Sequence, residues 1–519
     1  MDTPRNYNAA VELVDKNVDK GFGDKPAFVD PDRTLSYLDL QVATNQVANL
    51  LTTLGLRQES RIAVLMLDNV DYPSVFWGAI RAGIVPVCLN TLLTTEQYQY
   101  MLSDSRAQTL LVSAPLLPSV APLLEGLPDL EHVIVAGGED GSHLNFDVLM
   151  AAADTDFETA NTSSDDTAFW LYSSGSTGAP KGVCHVHTSP AYVAENYGQH
   201  VLGIQHDDVC FSAAKLFFAY GLGASMAIPM SVGATTALLP DRPTPAAVMS
   251  MLKKFQPTLF FGVPTLYAAM LADPSCTAEH GSERLRLCIS AGEALPEDVG
   301  LTWQERMGVG ILDGIGSTEM LHVFLSNRPG DIRYGTTGRE FPGYKLRIVD
   351  DDGNDVEDGE LGELLVSGGS AGDGYWNQRA KSRATFAGEW THTGDKYTRD
   401  KEGYYHYAGR TDDMFKVSGR WVSPFEVEQA LASHPAVIES AVVAHEDEEG
   451  LIKPKAFVVL TDQAETDGLF EALKVHVKEA VGVWKYPRQI EVVEDLPKTA
   501  TGKIQRFRLR ALAKGSNHD

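Results

Sequence analysis

The chain has 519 residues, 44% of them hydrophobic, and a formal net charge of −27 at pH 7. That length is too great for one compact core and points to two to four folding units. The acidity repels a polyphosphate backbone and argues against nucleic acid as a partner. No window holds eighteen unbroken apolar residues. The nearest candidate, Val75 to Leu89, contains Arg81 and Pro86, which argues against a membrane span. Met1 to Asp15 lacks the basic, apolar and small-residue layout of a secretion signal, so a cytoplasmic location is expected. Cys88, Cys184, Cys210, Cys276 and Cys288 are odd in number, widely spaced and free of CxxC pairs. They are expected to be buried reduced thiols rather than a disulfide frame or a zinc site.

Taken in chain order, the first half alternates helix and strand. Leu40, Ala43, Val47, Leu50, Leu51 and Leu54 recur at helical spacing, and Gly55 follows as a stop. Ile62 to Leu67 is an apolar run of strand length. Thr94 and Gln97 can form a capping box. Leu110 to Val112, Val133 to Val135, Ala168 to Tyr172 and Leu287 to Ile289 read as further buried strands. Alternating βα units imply an α/β fold of doubly wound, mostly parallel sheets. Between Ile332 and Arg410 the texture changes. Lys345 to Val349, Gly362 to Val366 and Gly403 to Tyr407 are short strands split by turns such as Asp352-Gly353, which predicts a distorted antiparallel β unit. Gly409 to Gly419 is polar and glycine-bounded and reads as a linker. Beyond it lies a small α+β unit. Its helix begins at Ser423-Pro424, its strands are Val437 to Val443 and Ala456 to Leu460, and a second helix covers Leu469 to Val481.

The strand ending at Tyr172 runs into Ser173-Ser174-Gly175-Ser176-Thr177-Gly178-Ala179-Pro180-Lys181-Gly182. Small residues let backbone N–H groups converge on phosphate oxygens, the hydroxyls add donors, and Lys181 adds charge. A generic Gly/Ser turn is the plain alternative. The run is not the GxxxxGK[ST] loop, because counting from Gly175 puts Pro180 at the second glycine and Gly182 at the hydroxyl position. Near the other end, Leu496 to His518 contains no acid but carries Lys498, Lys503, Arg506, Arg508, Arg510 and Lys514. Such a run fits either a site for a small anion or a solvated helix face.

The segment Tyr172 to Gly182 resembles the signature of the adenylate-forming superfamily, which includes acyl-CoA synthetases, stand-alone adenylation domains and firefly-type luciferases. Four more segments match in order. They are Asp313-Gly314-Ile315-Gly316-Ser317-Thr318-Glu319, Thr393-Gly394-Asp395, Gly409-Arg410-Thr411-Asp412-Asp413 and Pro497-Lys498-Thr499-Ala500-Thr501-Gly502-Lys503. The resemblance implies an AMP-forming ligase that uses ATP, Mg²⁺ and coenzyme A. It implies an adenylation domain over residues 1–411 and a mobile lid over 412–519. Ser173, Ser174, Gly175, Ser176, Thr177, Gly178 and Lys181 would wrap the pyrophosphate, with Thr177 and Glu319 at the metal. Gly292, Glu293 and Ala294 would flank the adenine and Asp313 would bond its amino group, with Gly314, Ile315, Gly316 and Thr318 nearby. Asp395 would accept from the ribose hydroxyls, beside Arg410. Lys503 would compensate charge as the carboxylate meets the α-phosphate. The lid would turn at Asp412 between half-reactions, and Gly419 would let the pantetheine arm of CoA pass. Unaided by the resemblance, Asp395 reads as a turn aspartate and Arg410 as a surface ion pair.

Two aromatic-rich stretches, Cys210 to Gly223 and Gly316 to Phe324, resemble the benzoate-CoA ligase branch. Carried over, Phe218, Ala219, Tyr220, Ala291, Gly292, Ile315 and His322 would line a short flat pocket for an aromatic acid. Plain core packing is the alternative for each. Choice among benzoate, 4-hydroxybenzoate and 2-aminobenzoate turns on a polar partner for one ring substituent, with Tyr220, His322 and Lys215 as candidates. Three rivals share the scaffold. One is a stand-alone protein that loads an aryl group onto a carrier-protein thiol, although with Lys503 near the end of the sequence a fused carrier domain is not expected. The others are a luciferase-like oxygenase and a decayed, non-enzymatic binding protein.

Overall fold

The computed structural model describes residues 4–138, 141–173, 179–417, 420–447, 450–461, 464, 467–498 and 504–515. Contacts divide the chain into two units. One comprises Met1–Ser174, Pro180–Leu346 and Val366–His392; the other comprises Gly175–Ala179, Arg347–Leu365 and Thr393–Asp519. The boundary expected at residues 411 and 412 concerns where the chain pivots and is taken up below as a proposal.

The first unit holds two eight-stranded sheets. One runs in the order Val323–Ser326, Ile311–Gly316, Leu287–Ser290, Leu259–Gly262, Val209–Ser212, Thr235–Ala237, Pro26–Val29, Thr34–Ser36. Its inner neighbours pair in parallel, and the two outermost pairs are antiparallel. The other runs Gly374–Tyr375, Lys181–Val186, Thr167–Ser173, Val85–Cys88, Arg61–Leu65, Thr109–Ser113, His132–Ala136, Leu144–Asn145. Parallel strands covered on both faces read as nearly continuous apolar runs. Leu259–Gly262 and Thr109–Ser113 are buried at every position. Between the strands run helices such as Tyr37–Thr53, which buries Leu40, Val47, Leu50 and Leu51 on one face. Helix Thr95–Ser105 opens with the expected capping box, Thr94 and Gln97 each bonding the other's backbone. The apolar window from Val75 to Leu89 is the end of helix Asp71–Arg81 followed by strand Val85–Cys88. Among the described residues no helix is long and apolar enough to cross a membrane. All five cysteines are buried and unpaired, as expected.

In the second unit, strand residues Asp395 to Arg399 pair antiparallel with Tyr405–Arg410. Gly409 to Gly419 is not a linker over its whole length. Gly409 and Arg410 end a strand, and Phe415–Val417 forms another paired with Arg420–Val422. Phe415 and Val417 alternate inward onto Val422, Val427 and Leu431, so burial of two side chains overrides the polar look of the segment. Strands Val437–Glu446 and Ile452–Leu460 pair antiparallel, and Gln489–Val492 joins the latter in parallel. Helices Pro424–Ala432 and Leu469–Val481 add Val427, Leu431, Leu473 and Val477 to the core of that unit.

Candidate active site

The phosphate-loop candidate lies in sequence between two paired strands. Thr167–Ser173 and Lys181–Val186 are antiparallel, with Ser173 opposite Lys181. Ser174, Gly175, Ser176, Thr177 and Gly178 lie outside the described residues, as do Gly419 and Lys503. Both strand ends meet Glu319. The Ser173 hydroxyl donates to Glu319 Oε1 at 3.4 Å, and the Lys181 ammonium lies 3.7 Å from the same oxygen. A residue that the sequence reading missed completes the cluster. Tyr375 donates from its hydroxyl to Glu319 Oε1 at 2.7 Å and accepts from Lys181 Nζ at 3.0 Å.

His185, also missed, braces the turn that carries Glu319. It lies fully buried on the strand of Lys181, with its ring stacked on Phe169 at 5.3 Å. Nε2 donates to the Thr318 carbonyl at 2.8 Å, which fixes the tautomer and leaves Nδ1 without a partner. Burial pushes its pKa down to about 4. Lys181 and His185, four apart on one strand, share a face, and that spacing was the one available signal for it.

The turn from Ser317 to His322 sends its two key side chains to different surroundings. Leu321 adopts φ +66°, a left-handed conformation that costs a β- or α-preferring side chain about 1 kcal/mol or more. Past it, His322 is 1% exposed, and its ring lies 5.4 Å from Tyr220 and 5.5 Å from Tyr197. Neither ring nitrogen has a hydrogen-bond partner of good geometry. Burial pushes its pKa down to about 3, with the backbone of Tyr220 acting weakly in the other direction. Gly316 permits the turn, because a Cβ there would lie 2.5 Å from the His322 carbonyl oxygen.

Of the three candidate partners for a ring substituent, two are already engaged. The Tyr220 hydroxyl donates to the Ile289 carbonyl at 3.1 Å. The Lys215 ammonium is held by the carbonyls of Leu239, Pro240 and Asp241. Ala219 and Ala291 are buried, while Phe218 and Ile315 are half-buried; Phe218 packs on Phe217 at 4.5 Å. Gly292 follows strand Leu287–Ser290 with φ +99°. Asp313 is buried in strand Ile311–Gly316, and its Oδ1 has no partner. Burial pushes its carboxyl well above the usual range, although the amides of Leu295 and Gly314 work against this.

Asp68 anchors the aromatic segment from below. Its Oδ2 accepts the Leu216 amide at 3.1 Å, two residues ahead of Phe218, and its Oδ1 has no partner. Burial raises its pKa from 3.8 to about 6, opposed by the charge of Lys215 and the Leu216 amide; Tyr72 also lies close enough to interact with it. Because the folded value lies above the unfolded one, the folded state holds the proton more tightly, and stability falls as pH rises from 4 through 6. Asp68→Asn keeps the acceptor for Leu216 and removes the charge. It is expected to gain stability relative to the parent by about 2 kcal/mol between pH 4 and pH 8, read by denaturant unfolding at both pH values. A pH-independent difference would contradict this assignment.

In the second unit, Asp395 and Arg410 face each other across paired strands. Arg410 donates to Asp395 Oδ1 at 3.1 Å and to the Thr393 carbonyl at 2.9 Å. Three of the six cations in the basic run near the end of the sequence are paired with acids from other elements. Arg506 bonds Glu428 at 2.6 Å and Asp413 at 3.4 Å, Arg510 bonds Asp413 at 2.9 Å, and Lys498 bonds Glu439 at 2.6 Å. Lys498, Arg506 and Arg510 are thus spent on ion pairs inside the unit, while Lys503 lies outside the described residues.

Residues 15–376 match the family described as AMP-binding enzyme, and residues 426–503 match its C-terminal domain. The chain belongs to the AMP-binding enzyme family. It falls in the benzoate-CoA ligase branch of the adenylate-forming superfamily. A 4-hydroxybenzoate–CoA/benzoate–CoA ligase of Rhodopseudomonas palustris is 56% identical over 513 residues, covering 98% of this chain and 95% of that one. The crystal structure of a benzoate CoA ligase from Burkholderia xenovorans LB400 superposes with a TM-score of 0.90 at 48% identity, covering 97% of this chain and 100% of that one. An anthranilate CoA ligase in complex with anthranoyl-AMP superposes with a TM-score of 0.94 at 43% identity, covering 99% of each chain. In this AMP-binding enzyme the larger matched segment contains Ser173, Lys181, Glu319, His322 and Tyr375. The smaller contains Lys503, while Asp395, Arg410, Asp412 and Gly419 lie between the two.

Proposed function

We propose that the chain ligates an aromatic carboxylic acid, benzoate or a hydroxy- or aminobenzoate, to coenzyme A through an acyl-adenylate. The observation that carries this reading is the turn from Ser317 to His322. It places Glu319 with Lys181 and Ser173, and His322 beside Tyr220 in an otherwise apolar setting. One arm suits a metal-bound polyphosphate and the other an aryl ring.

A carboxylate oxygen attacks the α-phosphorus of ATP and pyrophosphate leaves. The CoA sulfur then attacks the acyl carbon and AMP leaves. Both steps depend on holding charged partners in line, so positioning and charge compensation dominate. Among the described residues no group of three or more His, Cys, Asp or Glu side chains could hold a metal by itself. The Glu319 carboxylate beside the Ser173 hydroxyl is an all-oxygen donor set, which fits Mg²⁺ because that ion takes one or two carboxylates and completes its shell with water and phosphate oxygens. In our reading Glu319 and Thr177 would hold Mg²⁺, which would neutralise phosphate charge when bound. Ser173 to Gly178 and Lys181 grip the pyrophosphate. Gly292, Glu293, Ala294, Gly314, Ile315, Gly316 and Thr318 surround the AMP, and the adenine amino group supplies the partner that Asp313 Oδ1 lacks. Asp395 and Arg410 take the ribose, Lys503 meets the carboxylate and α-phosphate, and Gly419 admits the CoA arm after the lid turns at Asp412. The reaction is assigned to the cytoplasm.

The test is AMP release from ATP with a panel of benzoate, hydroxybenzoates, aminobenzoates and short alkyl acids, with free CoA or with a phosphopantetheinylated carrier protein. Aromatic acids with free CoA are expected to give the highest turnover. Preference for the carrier protein, or for alkyl acids, would refute the proposal.

A further inference from the structure

The Lys181–Glu319 pair is not joined directly by a short bond. Their charged atoms are 3.7 Å apart, and the Tyr375 hydroxyl bridges them from one side, accepting from Lys181 at 3.0 Å and donating to Glu319 at 2.7 Å. The ammonium also lies 4.3 Å from the centre of the Tyr375 ring, within range of a cation–π contact. The phenol is held from several sides. Tyr375 pairs with Val183 on the Lys181 strand, its amide donates to Ser382 Oγ at 2.9 Å, and its ring packs on Phe386 at 5.4 Å. A further contact to Thr385 Oγ1, at 3.4 Å, is longer than either of these two bonds.

We infer that Tyr375 is a positioning residue that keeps the Lys181 ammonium and the Glu319 carboxylate apart, so that each meets its own part of a magnesium pyrophosphate group. The inference rests on the roles proposed above for Lys181 and Glu319. Without the hydroxyl, the ammonium closes on the carboxylate as an ordinary ion pair. That pair competes with the metal for Glu319 and with phosphate for Lys181. Hydrogen bonds to charged groups are the stronger kind, so the loss is felt in binding of the polyphosphate and not in binding of the acid.

Tyr375→Phe removes one oxygen and keeps the ring. Calorimetric titration of the full chain with magnesium pyrophosphate is expected to show Kd raised about 10-fold, and the KM for MgATP is expected to rise by a similar factor. The KM for the aromatic acid and the rate of CoA thiolysis of a supplied acyl-adenylate are expected to stay at parental values. Phe386→Leu, which loosens the ring and spares the hydroxyl, serves as the structural control and is expected to bind magnesium pyrophosphate as the parent does. In a Lys181→Met background, adding Tyr375→Phe is expected to change Kd no further. A parental Kd for Tyr375→Phe, or equal losses in Tyr375→Phe and Phe386→Leu, overturns the inference. Glu319→Gln separates the two levels: if it binds magnesium pyrophosphate as the parent does, the roles proposed for the site fail, and if it alone is impaired, only the part assigned to Tyr375 fails.

Discussion

Lys503→Ala is expected to lower ATP–pyrophosphate exchange by about 100- to 1,000-fold, the cost of deleting one preorganised donor at a developing charge. Thiolysis of a supplied acyl-adenylate by CoA is expected to continue at close to the parental rate, because no phosphate is attacked in that step. The split between half-reactions is what distinguishes this role from a structural one. The surroundings of the loop indicate that the variant folds. Lys498 and Ile504 pair as an antiparallel bridge, and the Gln505 amide donates to the Pro497 carbonyl at 2.7 Å, so the residues on either side of 499–503 are tied to each other. The cations nearest in sequence are poor substitutes for it. Arg506 and Arg510 are committed to Glu428 and Asp413, and Lys498 to Glu439. Removing either partner of a buried charge pair leaves the other uncompensated, so these side chains are not free to replace the missing ammonium. Near-parental pyrophosphate exchange in Lys503→Ala would refute the assignment, as would equal loss of both half-reactions.

The sequence was most informative where one element determines its own form. The helical spacing from Leu40 to Leu54 and the Thr94–Gln97 capping box are local patterns, and both appear in the fold. The apolar runs that became parallel strands were visible for the same reason, since strands buried on both faces read as nearly continuous hydrophobic runs. Motif resemblance reached further and brought Ser173, Lys181 and Glu319 to one place across nearly 150 residues. What stayed hidden depends on pairing between distant segments. Tyr375 is an ordinary aromatic in the run Gly374-Tyr375-Trp376, and it enters the site only because its strand lies against Val183. Lys215 looked available for a substrate until the carbonyls of Leu239, Pro240 and Asp241 were seen to hold it. The basic run looked open because its acidic partners, Asp413, Glu428 and Glu439, are 59 to 97 residues away. The supposed linker from Gly409 to Gly419 failed for a related reason: Phe415 and Val417 are too few to announce a strand, yet both are buried against the core of the second unit.

His322→Leu is expected to change which acids are used more than how fast they are adenylated. The side chain offers two nitrogens with no partner of good geometry, while Tyr220 and Lys215 are already bonded elsewhere. In the proposed pocket, a hydroxyl or amino group on the ring is expected to gain a partner at His322 that an apolar replacement cannot supply. Leaving such a group buried and unpaired costs about 1–3 kcal/mol, which corresponds to a fall of roughly 5- to 150-fold in kcat/KM for the substituted acid. Benzoate itself has nothing to lose at that position and is expected to keep its parental kcat/KM, so the readout is the ratio between the two acids. With a pKa near 3, His322 stays neutral from pH 5 to pH 8, and this ratio is expected to be flat across that range. Gly223→Ala tests the same contact from the opposite side. A Cβ at Gly223 would lie 2.3 Å from His322 Cδ2, so the imidazole must move. The KM for the acid is expected to rise while the KM for MgATP holds, because Glu319 lies beyond the left-handed Leu321 on the other arm of the turn. Equal losses for benzoate and its substituted relatives in His322→Leu would mean that the histidine only fills space, and the selectivity assigned to it would then have to come from Phe218, Ala219 or Ile315.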